Sequence, residues 1–581
     1  MQHFREDIVH GFVPLGCRVE SYTDAIGSDD CAGVITTLPP TAGNALLCRH
    51  FRARTAAVKW ARGVFAVLTG SLMHWTAASA ADMPTAARDA SIVGIEQALA
   101  ERQYTVTELV RYYVARIGAI DHHGPALHSI IEINPDWLRL SRDLDRSDRP
   151  AREPLFGVPV VLKDNIDTAD HMHTTAGSLA LLDSSPQRDA FIVRRLRAAG
   201  ALILGKANLS EWAGQRSNYA SGGWSGRGGQ TRNPYAPDRS PAGSSSGSAV
   251  AVAADLTAVA VGTDTGGSIA GPASANGVVG IRPTLGLVSR SGIIPIAASY
   301  DTAGPLTRTV ADAATLLTVI AGYDPDDPAT ARLKDQPTPD FRLALKAGSL
   351  KGARIGVLRQ YAGFNPGVDE LLDRVLATLR AQGAVVIDPV GISTKGKLGN
   401  DIDLVDEYEF KDGIARYLAN RRGPGPKDLA GLIAFDAQHA SAEMPYFGQD
   451  EFITSQHSGP LTDTTYRDAL ERTRRLAGPE GIDAALNKDH LDALIAPTAG
   501  PAPLIDYLAV SYYGGGGGSF TDLAAAAGYP RVTVPMGLVH GLPVGLTIVG
   551  TAWSDFKLIG FAYAYEQASH SRRPPGEVAV E

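Results

Sequence analysis

Two clusters of small residues, AGSSSGS at 242–248 and GGS at 266–268, are separated by AVAVAADLTAVAV, an almost wholly apolar stretch. A flexible Gly/Ser linker does not fit this arrangement, because so much apolar surface between two turns is stable only when removed from water. The stretch at 249–254 reads as the start of a helix and 258–261 as a strand, so both clusters are loops pinned by packed elements. No lysine follows the glycines in the way a phosphate-binding loop requires. Gly243-Ser-Ser-Ser-Gly247 formally matches a G-x-S-x-G nucleophile elbow centred on Ser245. That elbow needs a strand directly before it, and NPYAPDRSP at 233–241 cannot form one, which demotes a Ser-His-Asp hydrolase.

The rest of the chain repeats the alternation of short apolar runs and helical segments. Residues 156–162 (FGVPVVL), 201–204, 354–358, 493–496, 532–534 and 544–549 read as strands. Helices are expected at 191–199, 311–321 and 557–567. Residues 91–118 read as two helices broken near 103–105, with Thr105 or Thr107 capping the second and Leu109, Tyr113 and Ile117 at helical spacing. Residues 213–247 are rich in Gly, Ser, Asn and Pro and must be mostly loop. The pattern predicts an α/β sandwich. From the Pro/Asp-rich stretch at 324–344 to about 478, amphipathic helices and polar loops predict a largely helical excursion, at about 325–478, on a single catalytic domain spanning 81–581.

Composition excludes several classes. In 581 residues, 54 Lys+Arg face 62 Asp+Glu for a net charge of −8, with 44% hydrophobic residues. That is globular and mildly acidic, without the basic stripe that nucleic acid binding needs. The three cysteines, Cys17, Cys31 and Cys48, all precede residue 50, so the remainder can hold neither a disulfide framework nor a Cys-ligated zinc site. Arg52, Arg54, Lys59 and Arg62 lead into an uncharged run at 63–78 and then Ala78-Ser79-Ala80, the layout of a secretory signal. The expectation is an upstream extension over 1–50, a signal peptide over 51–80, translation starting near Val58 and cleavage after Ala80. The cleaved chain would be exported, to a bacterial periplasm or the medium, with no stable membrane association.

Lys163 closes the run GVPVVLK. Held in a desolvated pocket, such a lysine has its pKa lowered and can act as a neutral base. With GVPVVLKDNI, GKANLSEWA, AGSSSGS and GTDTGGSIAGPASANGVVGIRPTLGLVSRSG on one chain in this order, the sequence resembles the amidase signature family from about residue 90 to the C-terminus. SYDTAGPLTRTVADAATLL, LAGPEGIDAALNKDHLDALIAPT, GYPRVTVPMG and GLPVGLTIVGTAWSD most resemble bacterial peptide amidases, which hydrolyse C-terminal carboxamides of peptides.

The resemblance implies a central mixed sheet covered by helices on both faces and a Ser-Ser-Lys triad. Lys163 would be the base, Ser244 the serine at the cis peptide and Ser268 the nucleophile. The backbone N–H groups of Thr265, Gly266, Gly267 and Ser268 would form the oxyanion hole, where glycine allows close approach of main chain to a carbonyl. Neither cofactor nor metal is implied, and the substrate is a small-molecule or peptide amide. Many members carry Arg two positions after the nucleophile, whereas this chain has Ala270. Ala242 and Ser246 stand where the family commonly has Gly. The missing Arg puts in doubt any transfer of substrate contacts from the tRNA-dependent amidotransferases. Alternatives are an aryl-acylamide or oligoamide hydrolase, an ammonia-supplying component of an amidotransferase, and a silent binding protein.

Other candidates carry less. Asn218 and Tyr219, before the serine cluster, are substrate-pocket candidates against a plain loop reading. Ser245 reads as a hydrogen-bonding support, and Asp164-Asn165 as a structural turn with some electrostatic effect on Lys163. The pairs His122-His123 and His171/His173 lack partners at metal-ligand spacing. Residues 407–410 read as ordinary helix that could meet substrate, and Tyr563 and Tyr565 as core.

Overall fold

The computed structural model describes residues 87–147, 153–507 and 520–576. The signal and extension expected over 1–80, the three cysteines and the five-glycine loop at 514–518 lie outside these. Among the described residues, no helix is long and apolar enough to cross a membrane.

Among the described residues thirteen strands form in chain order: β1 (Ile130–Ile133), β2 (Pro159–Lys163), β3 (Leu202–Ala207), β4 (Trp224–Ser225), β5 (Gly229–Gln230), β6 (Val259–Asp264), β7 (Val279–Arg282), β8 (Thr302–Thr307), β9 (Arg354–Val357), β10 (Val385–Ile387), β11 (Ala493–Pro497), β12 (Arg531–Val539) and β13 (Leu542–Val549). Eleven make one mixed sheet in the order β1-β3-β2-β6-β8-β7-β12-β13-β11-β9-β10, and β4 and β5 pair separately. β2 runs parallel to both β3 and β6, whereas β6, β8, β7, β12 and β13 alternate antiparallel. Every residue of β2, β3, β6 and β8 is buried. Successive side chains of a strand point to opposite faces, so unbroken burial means that both faces of the sheet are covered. This is the α/β sandwich that the alternation of apolar runs predicts.

Local chemistry sets the helix boundaries. Thr105 caps the helix Val106–Arg116 in a reciprocal capping box with Glu108. The helix Ser246–Ala253 begins inside the serine cluster itself and is buried at every position. Its Gly247 passes so close to the backbone that a Cβ would sit 2.2 Å from the Ser129 carbonyl oxygen and 2.5 Å from that of Asn208.

The stretch at 325–478 divides in two. Its first part supplies β9, β10 and the helix Pro366–Ala381, which extend the central sheet at one edge. Its second part, led by the helix Gly399–Ala419, is helical. A buried polar cluster ties this helical part to the loops of the main body. Glu443 accepts from Ser178 Oγ (3.0 Å) and the Leu179 N–H (2.7 Å), while Arg216 donates to the Glu443 carbonyl (2.6 Å) and pairs with Glu211 (2.6 Å). Burial raises Glu211 well above the carboxylate range. It lifts Asp436 to about 7, helped by the neighbouring Glu443 and opposed by Arg216.

Gly247→Ala should destabilise the protein by about 1–3 kcal/mol through overpacking against backbone that cannot yield. A lower thermal unfolding midpoint checks this.

Candidate active site

Parallel pairing of β2 with β6 aligns Val160 with Val259 and Leu162 with Val261, so both carboxyl ends emerge at one edge of the sheet. In α/β sheets ligands sit outside such ends. Here the edge carries Lys163 from β2, and Thr263 and Asp264 from β6. The serine cluster lies over them: Ser245 Oγ donates to the Thr263 carbonyl (2.9 Å) and accepts the Thr263 N–H (3.2 Å). The Ser245 N–H reaches the Ser268 carbonyl at 3.1 Å, which joins the two glycine-rich loops.

Lys163 is wholly buried, and its Nζ lies 2.6 Å from Ser244 Oγ and 2.9 Å from Thr263 Oγ1. Burial drives its pKa down to about 7, while the carboxylates of Asp264 and Asp301 resist the fall. The Gly243-Ser244 peptide is cis. Ser244 is fully buried and Ser268 almost so, at 5% exposure.

A second buried charge group underlies the loop at 264–268. Asp264 pairs with Arg282 (3.0 Å) and Arg531 (2.5 Å), neighbours across β7 and β12. Burial works against its charge, but the two guanidinium groups prevail and hold its carboxyl at about 2. Asp264 also accepts the N–H groups of Gly267 (3.1 Å) and Ile269 (2.7 Å), and Thr265 Oγ1 donates to Asp301 (2.6 Å). Gly267 has φ +139°, a conformation that favours glycine.

Among the expected oxyanion donors, the Gly267 N–H donates to Asp264 Oδ1 at 3.1 Å. Among the described residues, no protein acceptor takes the N–H groups of Thr265, Gly266 or Ser268.

The structure brings Lys163, Ser244, Ser245 and the loop of Ser268 together. The Asn218 side chain donates to Glu451 and its N–H to Asp450 (3.1 Å), and Tyr219 is 64% exposed. Asp164 closes a turn by accepting from Thr175 Oγ1 (2.5 Å) and the Gly177 N–H (3.2 Å). Glu409, on the helix Gly399–Ala419, accepts from Ser299 Oγ (2.7 Å) and Tyr466 Oη (2.5 Å). His171 and His173 each meet one carboxylate, of Asp136 and Glu132. Among the described residues, no group of three or more His, Cys, Asp or Glu converges as a metal site would. A cavity of about 380 Å³, lined by Asn165, Thr263, Thr265 and Asp301 among others, opens beside the lysine. Sequence reasoning missed Asp264, Arg282, Arg531, Asp301 and Thr263. A signal existed in the arginines, which stand at the ends of apolar runs, VVGIR and RVTVP, where a solvated exit residue is the ordinary reading.

The amidase family model matches residues 108–559, and the chain belongs to that family, the amidase signature hydrolases. Among solved structures, the native peptide amidase of Stenotrophomonas maltophilia superimposes with a TM-score of 0.78 at 49% identity, covering 84% of this chain and 98% of that one. A probable amidase of Arabidopsis thaliana is 38% identical over 503 residues, 85% of this chain and 92% of that protein. A glutamyl-tRNA(Gln) amidotransferase component of Caldanaerobacter subterraneus is 33% identical over 506 residues, 84% of this chain and 98% of that protein.

Asp264→Asn should leave two buried guanidinium groups without their counter-charge and cost about 3–5 kcal/mol. Loss is expected both in the denaturant midpoint and in turnover. A variant as stable as the parent would show that the pair contributes nothing net.

Proposed function

We propose that this protein is a serine amidohydrolase that cleaves carboxamide C–N bonds through an acyl-enzyme, acting on C-terminal amides of peptides and releasing ammonia. The observation that carries this reading is the contact of a fully buried Lys163 Nζ with Ser244 Oγ at 2.6 Å, beside the loop that presents Ser268. A lysine with a pKa near neutrality is a competent base at neutral pH.

In the proposed cycle Ser244 passes its proton to neutral Lys163 and takes the proton of Ser268, whose Oγ attacks the amide carbonyl. The N–H groups of Thr265, Gly266, Gly267 and Ser268 are the donors this reading assigns to the developing oxyanion. The positive surplus of Arg282 and Arg531 over Asp264 lies beneath that loop and favours the negative charge. As the C–N bond breaks, Ser244 protonates the departing nitrogen, which leaves as ammonia from a primary amide. Water, activated by the same chain of groups, then cleaves the ester and restores Ser268. Similarity to peptide amidase supports the peptide-amide substrate. Similarity to the glutamyl-tRNA(Gln) amidotransferase sustains a second reading, ammonia supply to a tRNA-linked acyl group, against which stand the missing Arg at Ala270 and the absence of a basic stripe.

Export belongs to the same proposal, and N-terminal sequencing of the secreted product should begin at Ala81; a product retaining residues 1–50 would overturn it.

Ammonia release measured across peptide amides, aryl amides and aliphatic amides should be fastest for peptide amides, and no release from any peptide amide would refute that substrate class. Ser268→Ala should lose turnover by at least about a thousandfold without unfolding. Lys163→Ala should lose about a hundredfold to ten-thousandfold. Because Lys163 must be neutral to accept a proton, kcat/KM should rise with pH through about 7 and fall away as the ammonium forms below it.

A further inference from the structure

We propose that Thr263 and Asn165 are positioning residues that aim the lone pair of the Lys163 amine at Ser244. The inference rests on the reading of Lys163 as the base and adds two residues to it. A neutral primary amine has two N–H donors and one lone pair, and only the lone pair can take a proton from Ser244.

The surroundings of Nζ assign these three directions. The Thr263 carbonyl, at 3.4 Å, can only accept. Thr263 Oγ1 accepts from Nζ at 2.9 Å and from Asn165 Nδ2 at 3.0 Å, so that the two donors occupy both lone pairs of the hydroxyl oxygen. With both N–H bonds directed at Thr263, the remaining direction of the amine falls on Ser244 Oγ at 2.6 Å. Without the Thr263 hydroxyl, the nearest acceptor for the second N–H is Ser244 itself. The amine would then present hydrogen where it must present its lone pair.

Both residues are fixed for such work. Ser245 grips the Thr263 backbone at its N–H and its carbonyl, and β8 pairs with it through Ala303. Asn165 is 3% exposed, and its backbone carbonyl accepts the Ile294 N–H at 2.9 Å. In the transfer, the O–H bond of Ser244 breaks as a third N–H bond forms on Lys163, and the ammonium keeps its bonds to Thr263 while Ser244 takes the proton of Ser268. The charged groups acting on the amine are Asp264, itself paired with Arg282 and Arg531, and Asp301, which accepts from Thr265.

Thr263→Val keeps the β-branched shape and removes the hydroxyl. It should lower kcat about tenfold to a hundredfold, within the range for a general base, with KM little changed. It should also move the acid limb of kcat/KM to lower pH, because the ammonium loses an acceptor. A merely structural role would not move that limb. Thr263→Ser should restore most of the lost kcat and return the limb. Asn165→Ala, which keeps every group that touches Nζ, should also lower kcat at unchanged KM. A Thr263→Val enzyme with the parent kcat and limb overturns the proposal, as does a loss that Thr263→Ser fails to rescue. If Lys163→Ala stays active, the base reading itself falls; if Lys163→Ala is inactive while Thr263→Val behaves as the parent, only the positioning role falls.

Discussion

An amine at the end of a buried strand must either stay charged and find a counter-charge or give up its proton and find acceptors. Lys163 takes the second course. Its nearest partners are hydroxyls and a carbonyl, of Ser244 and Thr263, and the closest carboxylates act on it from a distance. Desolvation of a charge outweighs such distant attraction, so the amine sits near neutrality. The surrounding structure serves this one condition: β2 and β6 bring the lysine and the threonine side by side, and the serine loop closes over both.

Asp264, the residue after Thr263 on β6, shows the opposite solution. There two arginines are within direct contact, and the carboxylate stays ionised despite complete burial. A neutral base at the end of β2 and a fixed anion at the end of the adjacent β6 thus coexist because their nearest neighbours differ. The anion has structural work as well, accepting two N–H groups of the loop that leads through Ser268.

Much of the fold was legible in the sequence because burial leaves a one-dimensional trace. Runs such as VPVVLK and AVAVGTD are apolar because both faces of their strands are covered, and Thr105 announces its helix by the glutamate three residues on. The stretch at 325–478 was harder to divide. RIGVL reads as a strand, yet nothing local says that it joins the edge of the main sheet rather than a separate layer. Asn218 illustrates the converse, since its bonds to Asp450 and Glu451 of a neighbouring helix leave no trace in the sequence around it.

By itself the sequence determined the α/β alternation and the two glycine-serine loops, which depend on residue type and near neighbours, while the three side chains proposed to carry the chemistry are what the resemblance to the amidase signature family implies. Only the tertiary structure decided the state of those groups. The depressed pKa of Lys163, the pairing of Asp264 with Arg282 and Arg531, and the convergence of Asn165 and Thr263 on one amine join residues as many as 267 positions apart. Electrostatic environment depends on distance in space and on exclusion of water, and neither is written in the order of the chain.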